Sequence, residues 1–216
     1  MKNKWLRIMA AMAVAGFAQA ASAVPSTPGL YIVDNSTATS QFVALSGGIA
    51  TWSGTVGNWT TVISTGQTVS GGAVPYLDLD VTATRSGAGA TSLDIYYSDI
   101  GFGPNTGGGY QLYTYLGTVT GGSATTSAYL STANTPFATT TALGGSLDVA
   151  GVNATINASG VYTAGNPYAI TILDHITGNV VSMDTTFTGV PDGGATVMLL
   201  GAALSALGLF RKKLIA

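Results

Sequence analysis

From Leu77 to Thr84 the chain alternates without a break: Leu77, Leu79, Val81 and Ala83 take turns with Asp78, Asp80, Thr82 and Thr84. A period of two sends the two sets to opposite faces of an extended chain, so the segment predicts a half-buried β-strand. The pattern returns at Leu93, Ile95 and Tyr97 against Asp94, Tyr96 and Ser98, and the intervening Arg85-Ser86-Gly87-Ala88-Gly89-Ala90 reads as a hairpin turn. Further strands are expected at 41–45, 60–64, 111–119, 125–130, 146–156, 168–173 and 180–188. Glycine clusters at 107–109 and 144–145 punctuate strands, and Gly121-Gly122-Ser123 falls at the turn of a second expected hairpin. Short alternating strands divided by Gly and Asn turns, with no long amphipathic helix and no repeat of fixed period, predict an all-β, antiparallel two-sheet sandwich. A jelly-roll connection is open to it.

The two ends follow different patterns. Lys2, Lys4 and Arg7 precede an apolar stretch from Ile8 to Phe17, and Ala21-Ser22-Ala23 places small residues where a signal peptidase cuts. Residues 1–23 are therefore expected to be a helical signal peptide removed after Ala23. At the other end, 195–210 carries no charge; as a helix it covers about 24 Å, short of a ~30 Å hydrocarbon core but enough for a marginal span. Arg211, Lys212 and Lys213 follow and resist translocation, which leaves the body of the protein outside. Just before the apolar run, Pro191 lacks an amide proton and Gly193-Gly194 resists regular structure, so an extended junction open to a protease is expected.

The order of motif, apolar run and basic end resembles the exosortase sorting signals of Gram-negative bacteria, the PEP-CTERM group. It is most similar to the variant whose motif begins Val-Pro-Asp-Ser-Gly. Here the stretch is Val190-Pro191-Asp192-Gly193-Gly194, with Gly193 in place of the serine. The resemblance implies recognition by a membrane-embedded exosortase, removal of the transmembrane sorting helix, and delivery from the inner membrane to the cell surface or an exopolysaccharide matrix. Residues 190–216 are then the sorting signal and 24–189 the exported domain. The alternative is an uncleaved single-pass anchor.

Setting the ends aside changes the charge. The whole chain carries −2, but between Val24 and Val190 only Arg85 is basic, against Asp34, Asp78, Asp80, Asp94, Asp99, Asp148, Asp174 and Asp184, a net −7. Such a domain repels nucleic acid, which is excluded as a partner. With no cysteine in the chain, burial alone must hold the exported part together, and its length suffices for one substantial core.

Two patterns carry candidate chemistry. If the strands bearing Asp78, Asp80 and Asp94 form a hairpin, those carboxylates converge, with Asp99 at the start of the next loop. Hard oxygen ligands of that kind suit calcium, although the spacing is not that of an EF-hand. The competing reading is a solvated acidic face that discourages edge pairing. Tyr113 and Tyr115 share one strand face, with Tyr96 and Tyr110 elsewhere. Exposed rings could stack on sugars, whereas buried ones, like Trp52 and Trp59, would simply pack.

No enzyme is expected. His175 is the sole histidine and is expected in a turn before Gly178-Asn179; Asp174 beside it would point the other way on a strand. Cysteine nucleophiles and nucleotide-binding glycine motifs are absent, and no cofactor is expected. The reading is an exported structural or adhesive protein. A carbohydrate-binding or carbohydrate-cleaving module is the alternative, since two aspartates suffice for glycoside hydrolysis.

Overall fold

The computed structural model describes residues 23–65, 75–86, 92–149, 152–165 and 167–190. Apart from Ala23 and Val190, the expected signal peptide and sorting tail lie outside these residues. The described residues are all-β and form two six-stranded antiparallel sheets.

The first sheet runs β2-β1-β6-β11-β8-β9 and the second β10-β7-β12-β5-β4-β3. In chain order the strands are β1 (Gly29–Asp34), β2 (Thr39–Ala44), β3 (Thr51–Val56), β4 (Trp59–Thr65), β5 (Tyr76–Arg85) and β6 (Leu93–Phe102). They continue as β7 (Asn105–Thr120), β8 (Ala124–Ser131), β9 (Thr141–Val149), β10 (Val152–Ala164), β11 (Tyr168–Ile176) and β12 (Val180–Val190). Strands β5 to β12 alone give β5-β12-β7-β10 facing β6-β11-β8-β9, which is the jelly-roll connection. The β1–β2 hairpin widens one sheet at β6, and the β3–β4 hairpin widens the other at β5.

Three expectations about connections are corrected. The segment after Arg85 is not a hairpin turn, because β5 pairs with β4 and β12 while β6 pairs with β1 and β11, so the chain crosses between sheets there. Gly121-Gly122-Ser123 likewise joins strands of different sheets. The single strand expected over 146–156 is two, β9 and β10, again in different sheets. Alternation reports which side chains point inward; a short Gly-rich link does not report whether the next strand pairs alongside or lies opposite.

The inward faces meet as one core. Leu77, Leu79, Val81 and Ala83 of β5 and Val181, Met183 and Phe187 of β12 lie against Leu93, Ile95 and Tyr97 of β6 and Ile170, Ile172 and Ile176 of β11. Trp59 is fully buried, as expected. Tyr110 belongs to this core as well: its ring stacks on Phe187 at 5.8 Å with an 11° interplanar angle. A Cβ at Gly160 would stand 2.8 Å from the Tyr110 ring, so glycine there makes room for it.

Candidate functional site

The outward faces of the two sheets are built differently. On the second sheet, the polar phase of β5 and β12 points to solvent, and antiparallel pairing sets Asp184 opposite Asp80 and Thr186 opposite Asp78. Thr186 Oγ1 donates to Asp78 Oδ1 at 3.0 Å, and Ser64 Oγ lies 3.4 Å from Asp80 Oδ2. Asp78, Asp80 and Asp184 thus form an acidic patch. Partial burial, followed by the charge of Asp78, pushes the Asp184 carboxyl up to about 6. Strand β7 borders the patch on the other flank of β12, with Tyr115 opposite Asp184 and Tyr113 opposite Thr186.

Both rings are open, Tyr113 at 41% and Tyr115 at 39% exposure, which separates them from the buried tyrosines of the core. Beyond them on β10, exposed Thr155 and Asn157 continue the rows. A shallow polar cleft of about 190 Å³ lies against Tyr113, Gln111, Asn157 and Ser159. At about 4.8 Å per strand, the rows from β10 to β5 extend roughly 14 Å. This is a flat surface offering two ring faces, amide and hydroxyl groups and three carboxyl groups.

The first sheet carries the other two residues of the expected calcium set, and the four do not converge. Asp94 projects from β6 on the opposite side of the sandwich from Asp78 and Asp80, because β5 and β6 belong to different sheets. Asp99 is inside β6 rather than at the start of a loop. It is 4% exposed, with Oδ1 accepting from the Ile100 amide at 2.8 Å. Among the described residues, no three His, Cys, Asp or Glu side chains are grouped so as to hold a metal ion.

Asp94 instead has His175 as its partner. The two stand opposite one another on β6 and β11, and His175 Nδ1 meets Asp94 Oδ1. The turn expected around His175 is therefore corrected: the residue lies within β11, whose polar phase faces outward at that point. Asp174 points the other way, as alternation requires, and is completely buried.

Beside the Asp94–His175 pair, the segment 132–140 folds over the outer face of this sheet. It is pinned by Ser98 Oγ accepting from the Phe137 amide at 3.0 Å and Asn134 Oδ1 accepting from the Gly101 amide at 2.8 Å. Asn134 and Phe137 both adopt positive φ, 55° and 57°, a conformation that asparagine takes readily and a bulky side chain such as Phe137 rarely does. The strain lets Phe137 turn down onto Tyr31, with ring centroids 5.9 Å apart, while Tyr31 and Tyr96 lie 6.0 Å apart. These rings, with Asp94, Asn35, Val24 and Thr139, line a cleft of about 250 Å³. Burial, and then the Asp94 charge, push the Tyr96 hydroxyl up to about 12, so it stays a neutral donor.

Two carboxyl groups missed as structural elements lie at the rim and in the centre of the core. Asp34 closes β1 and accepts from the Ser36 amide at 2.8 Å, the Ser36 hydroxyl at 2.6 Å and the Asn58 amide at 2.7 Å, tying the β1–β2 turn to the β3–β4 turn. Asp174 accepts from Thr126 Oγ1 at 2.7 Å and Thr185 Oγ1 at 3.3 Å, and its second oxygen has no partner among the described residues.

The described fold and the tail together define a β-sandwich of jelly-roll connection that carries a sorting signal. The family model of the VPDSG-CTERM motif matches residues 189–214. The chain therefore carries a sorting signal of the PEP-CTERM type. No curated protein sequence matches the chain. Among solved structures it is similar to the enzymatically active domain of tailspike protein 4 of bacteriophage CBA120, at 14% identity and TM-score 0.35 over 68% of this chain and 21% of that one. An isomalto-dextranase from Arthrobacter globiformis T6 complexed with panose aligns at 12% identity and TM-score 0.31, over 74% of this chain and 30% of the other. The adhesin domain of Epf from Streptococcus pyogenes aligns at 9% identity and TM-score 0.34, over 77% and 58%. The chain spans between about a fifth and three fifths of the length of these structures.

Proposed function

We propose that this is an exported, non-enzymatic surface or matrix protein with a structural or adhesive role. Signal peptidase removes its amino-terminal segment, and an exosortase of a Gram-negative inner membrane then processes its tail. The observation that carries the reading is the join between domain and signal. Val190 is both the last residue of β12, paired with Gly109, and part of the matched motif, so a folded sandwich leads straight into the processing site. Mass spectrometry of surface material tests it. Peptides from the body should be found and peptides from 198–210 should be missing, and deleting the host's exosortase should restore them. Recovery of those tail peptides from surface protein of the unmodified host would instead support a permanent anchor.

A second reading, glycan binding, is supported by Tyr113 and Tyr115, whose exposed rings adjoin the carboxyl and amide groups of β5, β12 and β10. The acidic patch favours neutral polysaccharide over anionic polymer. Replacing both tyrosines by alanine should abolish retention on a neutral polysaccharide gel while the far-UV circular dichroism spectrum of the folded sandwich is kept. Equal retention of the variant would remove this reading.

A further inference from the structure

Val24 lines the cleft together with Tyr31, Tyr96, Phe137 and Asp94. It is 61% exposed and immediately follows the Ala21-Ser22-Ala23 processing site. Three aromatic rings and a carboxylate around one small cleft suit an organic ammonium ion, since ring faces and carboxylate oxygens both attract positive charge. Between residues 24 and 190 the sequence supplies no lysine and one arginine, Arg85. Arg85 is at the end of β5, in the other sheet.

We propose that the occupant of this cleft is the protein's own new amino terminus. Signal-peptide removal after Ala23 creates an α-ammonium on Val24, and that ammonium pairs with Asp94 under the Tyr31 and Tyr96 rings, closing the cleft and fixing residues 24–28 to the first sheet. The proposal rests on cleavage at that bond. Export thereby completes a contact that the precursor, whose Val24 nitrogen is an uncharged amide, does not have.

The sign of the pH dependence follows from the groups present. Asp94 faces the cleft from β6 with His175 of β11 against it, Tyr31 of β1 lines it, and the Tyr96 hydroxyl stays protonated, with Tyr129 of β8 near it. A free α-amino group titrates near 7.7–8.0. An adjacent carboxylate favours the protonated amine, so its folded value rises. The resulting stability is fully present below pH ~7.7 and disappears as pH climbs through the raised value.

Because the domain has no lysine, reductive methylation with ¹³C-formaldehyde marks Val24 as its sole amine, and any Lys212 or Lys213 retained titrates separately near 10.4. The full-length gene is expressed with its own signal, and the exported protein is purified, sequenced from its amino terminus and titrated by NMR. Val24 should be the first residue. Its dimethylammonium should titrate about half a unit to one unit above a Val-initiated peptide carrying the same label, and Asp94→Asn should return it to the peptide value. His175→Gln, which removes the imidazole from Asp94 and keeps the Tyr96 hydroxyl beside it, should raise it further. Acetylating the amine, unlike methylating it, should lower the melting temperature by roughly 2–4 °C at pH 6.5. A first residue other than Val24 would overturn the processing step and the contact together. Val24 in first place with the peptide's own titration, unmoved by Asp94→Asn, would overturn the contact alone.

Discussion

Asp34 and Asp174 have the same 0% exposure and opposite fates. Burial pushes Asp34 upward, but the Asn58 amide, both donors of Ser36 and the Thr37 hydroxyl outweigh it, leaving the carboxyl below its usual value and ionised. Burial also dominates at Asp174. There the two threonine hydroxyls oppose it and lose, and the charge of Asp184 adds to it, so the carboxyl is pushed up to about 7. Neither shows surface to solvent, but Asp34 lies at the rim with little protein packed around it and Asp174 in the centre of the core. Depth as well as donors decides which carboxyl group is charged. Backbone amides at a turn are fixed donors that favour the anion, whereas two hydroxyls between sheets, one of them at 3.3 Å, do not replace the water lost.

The difference can be broken most forcefully at Asp174. Its folded value lies above its unfolded one, so the protein loses stability as pH rises from about 4 to about 7 and levels off beyond. At about 1.4 kcal/mol per unit the loss is on the order of several kcal/mol. Asp174→Asn should flatten that slope and make the variant the more stable protein at pH 8 in urea denaturation. A parallel slope in both proteins would show that the carboxyl group is not the cause. At Asp34 the sign reverses: the stabilisation is present above the ordinary carboxylate value and is lost as pH falls through the depressed one. Asp34→Ala should cost about 1–2 kcal/mol at pH 7, since it removes the acceptor of two part-buried amides, and less at pH 2. The smallest effect belongs to Asp184, which is half-buried and water-screened. Asp184→Asn should relieve repulsion with Asp78 and Asp80 by less than about 1 kcal/mol above pH 6, and the gain should shrink with added salt.

Asp174 was visible in the sequence as an anomaly of phase. Ile170, Ile172 and Ile176 mark the inward positions of β11, and Asp174 occupies the gap between them. The alternating strands β5, β7 and β12 were legible for the same reason, whereas the pattern left open whether Tyr113 and Tyr115 pack or stand exposed, and the structure exposes both. Strand β1 was not, because Leu30, Tyr31 and Ile32 are buried on both faces, and a continuous apolar run has no alternation to read. Strand β3 was hidden by its central Gly54 and small polar neighbours. The acidic patch was anticipated at Asp78 and Asp80 but completed by Asp184, 104 residues beyond Asp80. Asp94 was assigned to the wrong face through a hairpin that does not exist. Local periodicity fixes orientation, while the partner of a strand depends on closure of the whole sandwich.

Strand β12 is flanked along its length by β5 and β7 and then becomes the tail. Any tension between an attached surface and the domain enters along that strand's axis. It loads the hydrogen bonds of both ladders in shear, together, where an edge strand would peel away bond by bond. A domain held by this tail would be held where the sandwich best withstands being pulled.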